Sequence, residues 1–296
     1  MILKYVVKNE IELKDIMRKK FHISNKLLSK LKITKQIFVN EIPVGISTKL
    51  KTNDIVTVSF DYEEDTLNVV PTKIDLDIIY EDDYLLIVNK PADIAIHPSN
   101  NHYSTSLSNG VRYYFDSLNL KKKTRPVNRL DKGTSGIVIF AKNEYIQEEL
   151  IKQMKTKEFK KEYIAVVLGT LEHKCGTIDA PIARVPGSII ERYVHTSGDY
   201  AITHYEVLKN LENITLVKLI LETGRTHQIR VHMKFIGHPI IGDTLYSKES
   251  SVITRQALHA YKVTFIHPIT LKTVTFTTEI PNDIKKLSKS ISRILS

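Results

Sequence analysis

Short apolar runs separated by loops, and only seldom by helices, restrict the fold of this chain more than any other feature. Strand-like runs fall at residues 83–88, 136–141, 163–168, 215–221 and 261–265, whereas helical periodicity is clearest only at 145–154 and 226–236. Regular alternation of strand and helix would wind a parallel sheet, so this irregular order points to α+β. An apolar fraction of 42% over 296 residues is enough for a substantial core. No apolar run approaches the roughly 18–20 residues that a membrane span needs. The N-terminus turns polar at Lys8, too soon for a signal peptide, and the one cysteine, Cys175, fits a reducing compartment. A cytoplasmic protein without membrane association is expected.

Charge divides the chain. Residues 1–60 carry 12 Lys/Arg against 5 Asp/Glu, while the remainder is close to balanced within a total of +10. A basic segment of this kind suits a polyanion, either RNA or an acidic membrane surface. Within it, a helix is expected over 11–20 and a second one capped by Ser24. Leu27, Leu28 and Leu31 of the second helix face inward, and Lys26 and Lys30 stand four apart on another face. Strands are expected at 37–39 and 55–60, with a turn at 40–43. Acidic residues from Asp61 onward read as a linker, giving a division into 1–62, a linker 63–77, and a body 78–296.

Chemistry concentrates where Arg129 and Asp131 precede the turn Gly133-Thr-Ser-Gly136, which leads into an apolar strand. A loop carboxylate held against a rigid strand is well placed to act on a substrate. By spacing alone, the same Asp can equally cap the turn with Arg129 as its surface partner. A serine hydrolase would need Gly-x-Ser-x-Gly, which this turn lacks. His227, His232 and His238 are spaced by five and six, without the His-Glu-x-x-His pattern of zinc sites. The sequence also lacks a dinucleotide fingerprint, a Walker loop and a cysteine cluster, so no cofactor is expected. Asn213-Ile-Thr215 matches a glycosylation sequon that a cytoplasmic protein would not use.

Asn128-Arg-Leu-Asp131-Lys-Gly-Thr-Ser-Gly136 resembles the signature loop of the RluA-type pseudouridine synthases, which usually begins with histidine. Three further blocks follow the order of that family. Glu81-Asp-Asp-Tyr-Leu-Leu-Ile-Val-Asn-Lys-Pro91 with Ile96-His-Pro98 is similar to its opening strand. Lys160-Lys-Glu-Tyr163-Ile-Ala165 is similar to its tyrosine segment. Thr223-Gly-Arg225-Thr-His-Gln-Ile229-Arg-Val-His-Met233 with Gly237-His-Pro-Ile-Ile-Gly-Asp243 is similar to its arginine segment. The N-terminal unit resembles the ribosomal S-four-type RNA-binding domain, through residues 24–31, 39–40 and 51–58. Asn25 departs from that pattern where arginine is common, and Asp93 stands where many synthases have glycine.

The resemblance implies a mixed, mainly antiparallel central sheet flanked by helices, and an RNA pseudouridine synthase without a cofactor; a monomer is expected because the sequence shows no heptad or exposed apolar stripe. Its RNA would be ribosomal, 23S above all, or transfer RNA. A non-catalytic RNA-binding protein of the same fold is the alternative. The reaction breaks the C1′–N1 bond of uridine, rotates the uracil and joins C1′ to C5. A carboxylate serves it as nucleophile or as stabiliser of positive charge at C1′. The resemblance gives Asp131 that part, pairs it with Arg225, and sets Tyr163 against the base with Ile229 beneath. Arg129 would fill the space left by the everted nucleotide. Asn128, Lys26 and Lys30 complete the expected RNA contacts.

Overall fold

A computed structural model describes residues 1–99, 102–156, 158–247, 250 and 252–287. The N-terminal unit begins with β1 (Ile2–Val6), β2 (Ile11–Glu12), α1 (Leu13–Lys19) and α2 (Asn25–Ile33). It ends with β3 (Ile37–Val39), β4 (Ile42–Pro43), β5 (Lys49–Leu50) and β6 (Ile55–Ser59). Four of these strands form a sheet in the order β1-β6-β3-β4. Ser24 caps α2 by accepting the Leu27 N–H at 3.1 Å, and Leu27, Leu28 and Leu31 are buried, as their spacing requires. The first helix is shorter than its sequence pattern, because Ile11 and Glu12 pair with Leu50 and Lys49 instead. The expected turn at 40–43 narrows to Asn40 and Glu41, both at positive φ, and Ile42–Pro43 already pairs with β3.

The larger unit comprises β7 (Asp77–Glu81), β8 (Leu85–Lys90), α3 (Leu107–Ser117), β9 (Ser135–Ala141), α4 (Glu144–Gln153) and β10 (Lys160–Leu168). Next come β11 (Cys175–Asp179), β12 (Ile182–Arg184), β13 (Arg192–Val194), β14 (Ile202–Leu211) and β15 (Ile214–Leu221). The described part closes with α5 (Gln228–Phe235), β16 (Leu258–Ile266), β17 (Thr273–Thr277) and α6 (Asn282–Lys286). Nine strands make one sheet, ordered β11-β14-β15-β10-β16-β9-β8-β7, with β17 on β16. Its pairings are antiparallel except β9 with β16. The architecture is thus the mixed, mainly antiparallel sheet with flanking helices. Helix α3 has no clear signature, because Asn109 and Gly110 in its first turns are poor helix formers. Asn109 compensates by accepting the Ser106 N–H at 2.9 Å.

Residues 63–76 contain no helix or strand, the last residue of the expected linker, Asp77, already opening β7, but they do not hang free. Glu64, with a side chain only 2% exposed, takes both guanidinium nitrogens of Arg125 at 2.5 and 2.6 Å and the Lys30 ammonium at 2.5 Å. Lys30 also reaches Glu144 at 2.9 Å. Phe60 packs on Tyr145 with ring centroids 5.4 Å apart, inside an apolar cluster that joins Leu27 and Val58 to Ile139 and Ile146. The small unit has too little core of its own and shares that of the body. Lys30 is therefore committed to an internal ion cluster and not to RNA, whereas Lys26 remains exposed.

Candidate active site

A cleft of about 450 Å³ opens beside the sheet, lined among others by Asp131, Lys161, Tyr163, His227, Ile229 and Arg230. Its floor depends on how β9 begins. Gly136 has φ +118, and a Cβ there would sit 2.3 Å from the Ala260 carbonyl oxygen, so only glycine lets β9 close on β16. The turn before it is held by Thr134 N–H donating to Asp131 O at 3.0 Å. Asn128 clamps the loop to the strand: its amide donates to Ile137 O and accepts from Ile139 N, both at 2.9 Å. That corrects the expectation of Asn128 as an RNA contact, since this buried amide is spent on backbone. Behind the loop, fully buried Lys90 donates to the carbonyls of Pro91, Ile94 and Lys132 at 2.8–2.9 Å. Burial and then Arg255 push its pKa down to about 7, against Asp93 and Asp131. Three carbonyl acceptors use three N–H donors, which only the ammonium form supplies, so we assign it as charged.

The guanidinium beside Asp131 is that of Arg230, not Arg225. Arg230 Nη1 lies 2.9 Å from Asp131 Oδ2, while its Nε and Nη2 hold the two oxygens of fully buried Asp243 at 2.7 and 2.8 Å. Asp243 in turn accepts the N–H groups of Leu245 and Tyr246. Gly242 before it has φ +74, and a Cβ there would meet the Arg255 carbonyl at 2.1 Å, so this approach also requires glycine. Arg225 lines the same cleft, but its Nε donates to Tyr200 O at 2.9 Å and Asp199 is its nearest carboxylate at 3.9 Å. The reason is local. Arg225 precedes α5 in a loop fixed by Gln228, which accepts from Thr223 and from the Arg225 N–H, whereas Arg230 lies in the helix's first turn.

Tyr163 is 5% exposed and lines the cleft where the β10–β16 register shifts between Glu162 and Ile164, an irregularity of the kind that re-aims side chains. Burial, reinforced by the charge of Asp131, holds its phenol above the ordinary tyrosine range. It is therefore a neutral hydroxyl and an aromatic face, not a phenolate base. Ile229, buried on α5, supplies an apolar wall. Lys161, two residues before Tyr163 and on the same face of β10, also lines the cleft, and burial lowers its ammonium to about 8. Arg129 is exposed at the rim.

The remaining candidates are accounted for. His232 is buried between Thr203 Oγ1 and Ala180 O, both at 2.9 Å, His238 reaches Leu168 O at 2.8 Å, and His227 reaches the Tyr246 hydroxyl at 2.8 Å. Ser135 does meet a histidine, His259 at 2.9 Å, but both are buried outside the cleft. Among the described residues, no group of three or more His, Cys, Asp or Glu could hold a metal ion, and no helix is long and apolar enough to cross a membrane. Arg230, Asp243, Lys161 and Lys90 were not singled out by sequence reasoning, and His227 was weighed only as a metal ligand. Arg230 and Asp243 lie within the quoted blocks, where Arg230 was the second arginine of a segment that also holds Arg225.

The mixed sheet is that of the pseudouridine synthase class, and loop Asp131, strand Tyr163 and buried Arg230 meet at one cleft in it. The chain belongs to the RNA pseudouridylate synthase family, whose model matches residues 84–235. A model of the RluD ribosomal pseudouridine synthase N-terminal domain matches residues 6–56. The chain is 40% identical to the uncharacterized RNA pseudouridine synthase YjbO of Bacillus subtilis, covering 90% of this chain and 95% of that protein. It is 36% identical to the ribosomal large subunit pseudouridine synthase D of Buchnera aphidicola, covering 89% of each. Among solved structures, human RNA pseudouridylate synthase domain containing 1 matches with a TM-score of 0.59 and 26% identity, over 73% of this chain and 87% of that one.

Proposed function

We propose that this RNA pseudouridine synthase isomerises uridines of large-subunit ribosomal RNA, with Asp131 as the reacting carboxylate. The observation that carries the reading is the ion pair of Asp131 with Arg230, anchored by Asp243, beside Tyr163 and Ile229 in one cleft. The target nucleotide leaves its stack, which costs a few kcal/mol, and Arg129 at the rim occupies the space it vacates. Uracil then lies between Tyr163 and Ile229, where stacking on an aromatic ring contributes about 1–3 kcal/mol per base. When the C1′–N1 bond breaks, its electron pair goes to uracil, and Asp131 meets the positive charge at C1′ as nucleophile or as counter-charge. The uracil turns, C5 bonds to C1′ and loses its proton, and N1 gains one. The sum is an isomerisation without redox change, so no cofactor is required.

Residues 1–62 act as the RNA-binding unit, 63–77 as a strap packed against the body, and 78–296 as the catalytic domain. The similarity to ribosomal large subunit pseudouridine synthase D of several bacteria supports the ribosomal substrate. The enzyme is taken to act as a monomer in the cytoplasm, where ribosomal RNA resides. The test is pseudouridine mapping of total RNA from wild-type cells, a deletion strain, and the deletion carrying Asp131→Asn. Sites in large-subunit RNA absent from the latter two are expected. Loss confined to transfer RNA would redirect the substrate assignment, and identical maps in all three strains would contradict the proposal.

A further inference from the structure

His227 is built into the cleft in a way that the reaction as described does not use. It adopts φ +58 at the N-terminus of α5, a left-handed conformation that costs energy in a non-glycine residue and persists where its surroundings impose it. Its Nδ1 lies 2.8 Å from the Tyr246 hydroxyl, and that oxygen already accepts the Arg192 N–H at 2.8 Å. With that acceptance made, the hydroxyl proton is assigned to His227 Nδ1 as acceptor, which puts the ring proton of neutral imidazole on Nε2. Nε2 faces Asp131 Oδ2 across 3.8 Å, beyond hydrogen-bond range, so this N–H has no acceptor in the carboxylate. The charged groups that bear on the ring are Asp131, Arg230, Asp243 and Arg192. Burial outweighs the two carboxylates and lowers the imidazole below its ordinary value, which keeps it neutral near pH 7.

We infer that His227 is a further catalytic residue, whose Nε2–H donates a hydrogen bond to a carbonyl oxygen of the uracil while that base is detached from the sugar. With Tyr163 and Ile229 against its faces, a uracil offers its oxygens at the ring edge, and His227 places a neutral N–H beside Asp131. Breaking C1′–N1 leaves both bonding electrons on uracil, and the charge spreads to its two carbonyl oxygens. A donor aimed there stabilises the detached base and keeps it within reach of C1′. No proton changes hands at His227: the proton lost from C5 and the one gained at N1 follow other paths. Tyr246 is the positioning residue that fixes the tautomer.

The inference rests on the reading of Asp131 as the reacting carboxylate. Two isosteric variants test it. His227→Asn keeps an acceptor where Nδ1 meets Tyr246, and asparagine tolerates a left-handed backbone, but it cannot reach the Nε2 position. His227→Gln can carry an amide N–H to that position. The probe is ribosomal RNA labelled with tritium at uracil C5, purified from cells lacking the gene, with tritium release followed under single turnover alongside RNA affinity and thermal midpoint. His227→Asn is expected to slow release by about 10²-fold, the scale of losing one preorganised donor, with affinity and midpoint retained. His227→Gln is expected to recover a measurable part of that loss. Equal rates for wild type and His227→Asn, or no advantage of Gln over Asn, would overturn the role. If wild type and Asp131→Asn release tritium alike, the Asp131 reading fails instead, and the role of His227 falls with it.

Discussion

Arg230 Nη1 lies 2.9 Å from Asp131 Oδ2, and the opposite edge of the same guanidinium grips Asp243 through two bonds of 2.7 and 2.8 Å. One rigid fork thus ties the Asp131 carboxylate to a buried anchor. Lysine offers a point charge that cannot span both acids. Arg230→Lys is therefore expected to lower single-turnover rate by at least ~10²-fold while RNA affinity holds. Asp243→Asn leaves half of a buried cation unpaired and is expected to cost about 3 kcal/mol in urea unfolding as well as activity. Full activity in Arg230→Lys would break the link.

Lys161 carries the expected alkaline limit. Burial places its ammonium near 8, within the cleft. The rate is expected to decline as pH rises through that value, when the cation is lost. Lys161→Met should be slower at pH 7 and should lack this decline. A wild-type profile that is level past pH 8 would contradict a role for the Lys161 cation in the cleft.

The sequence made the sheet class legible because its long apolar strands, β8, β9, β10 and β15, are buried enough to need uninterrupted apolar runs. Asp131 and Tyr163 were marked by the family resemblance, and the structure brings both to one cleft. The arginine partner was not legible. Arg225 and Arg230 are five residues apart in one segment, and only the loop geometry set by Gln228 and the left-handed His227 decides which one turns to the carboxylate. Asn128 and Lys30 were misread for a related reason. A polar side chain looks the same in sequence whether it meets RNA or closes an internal hydrogen bond.

The cluster around Glu64 couples the small unit to the body. Burial alone would raise its carboxyl, but hydrogen bonds from Arg125 and Lys30 pull it down to about 2. A depressed acid contributes stability in full above its unfolded value of 4.5 and loses it as pH falls toward 2. The contribution is on the order of 3 kcal/mol. The stability gap between wild type and Glu64→Gln should therefore narrow from pH 6 to pH 3 in denaturant titrations. A constant gap would remove the ionic explanation.

Lys90 serves the catalytic loop from behind, through the Lys132 carbonyl next to Asp131. Lys90→Met removes the donor to three part-buried carbonyls, at about 1–3 kcal/mol for each group left unsatisfied. Loss of at least ~3 kcal/mol is expected in urea unfolding, together with lower activity. A variant as stable as wild type would show that those carbonyls find other donors.

The most direct test of the account is a paired measurement on purified protein: tritium release from C5-labelled ribosomal RNA and equilibrium RNA binding, for wild type and Asp131→Asn. Removing the charge at nearly constant shape is expected to abolish release, by at least ~10³-fold, and to leave binding intact. Release at the wild-type rate, or loss of binding together with release, would contradict the assignment of Asp131 as the group that acts on the sugar.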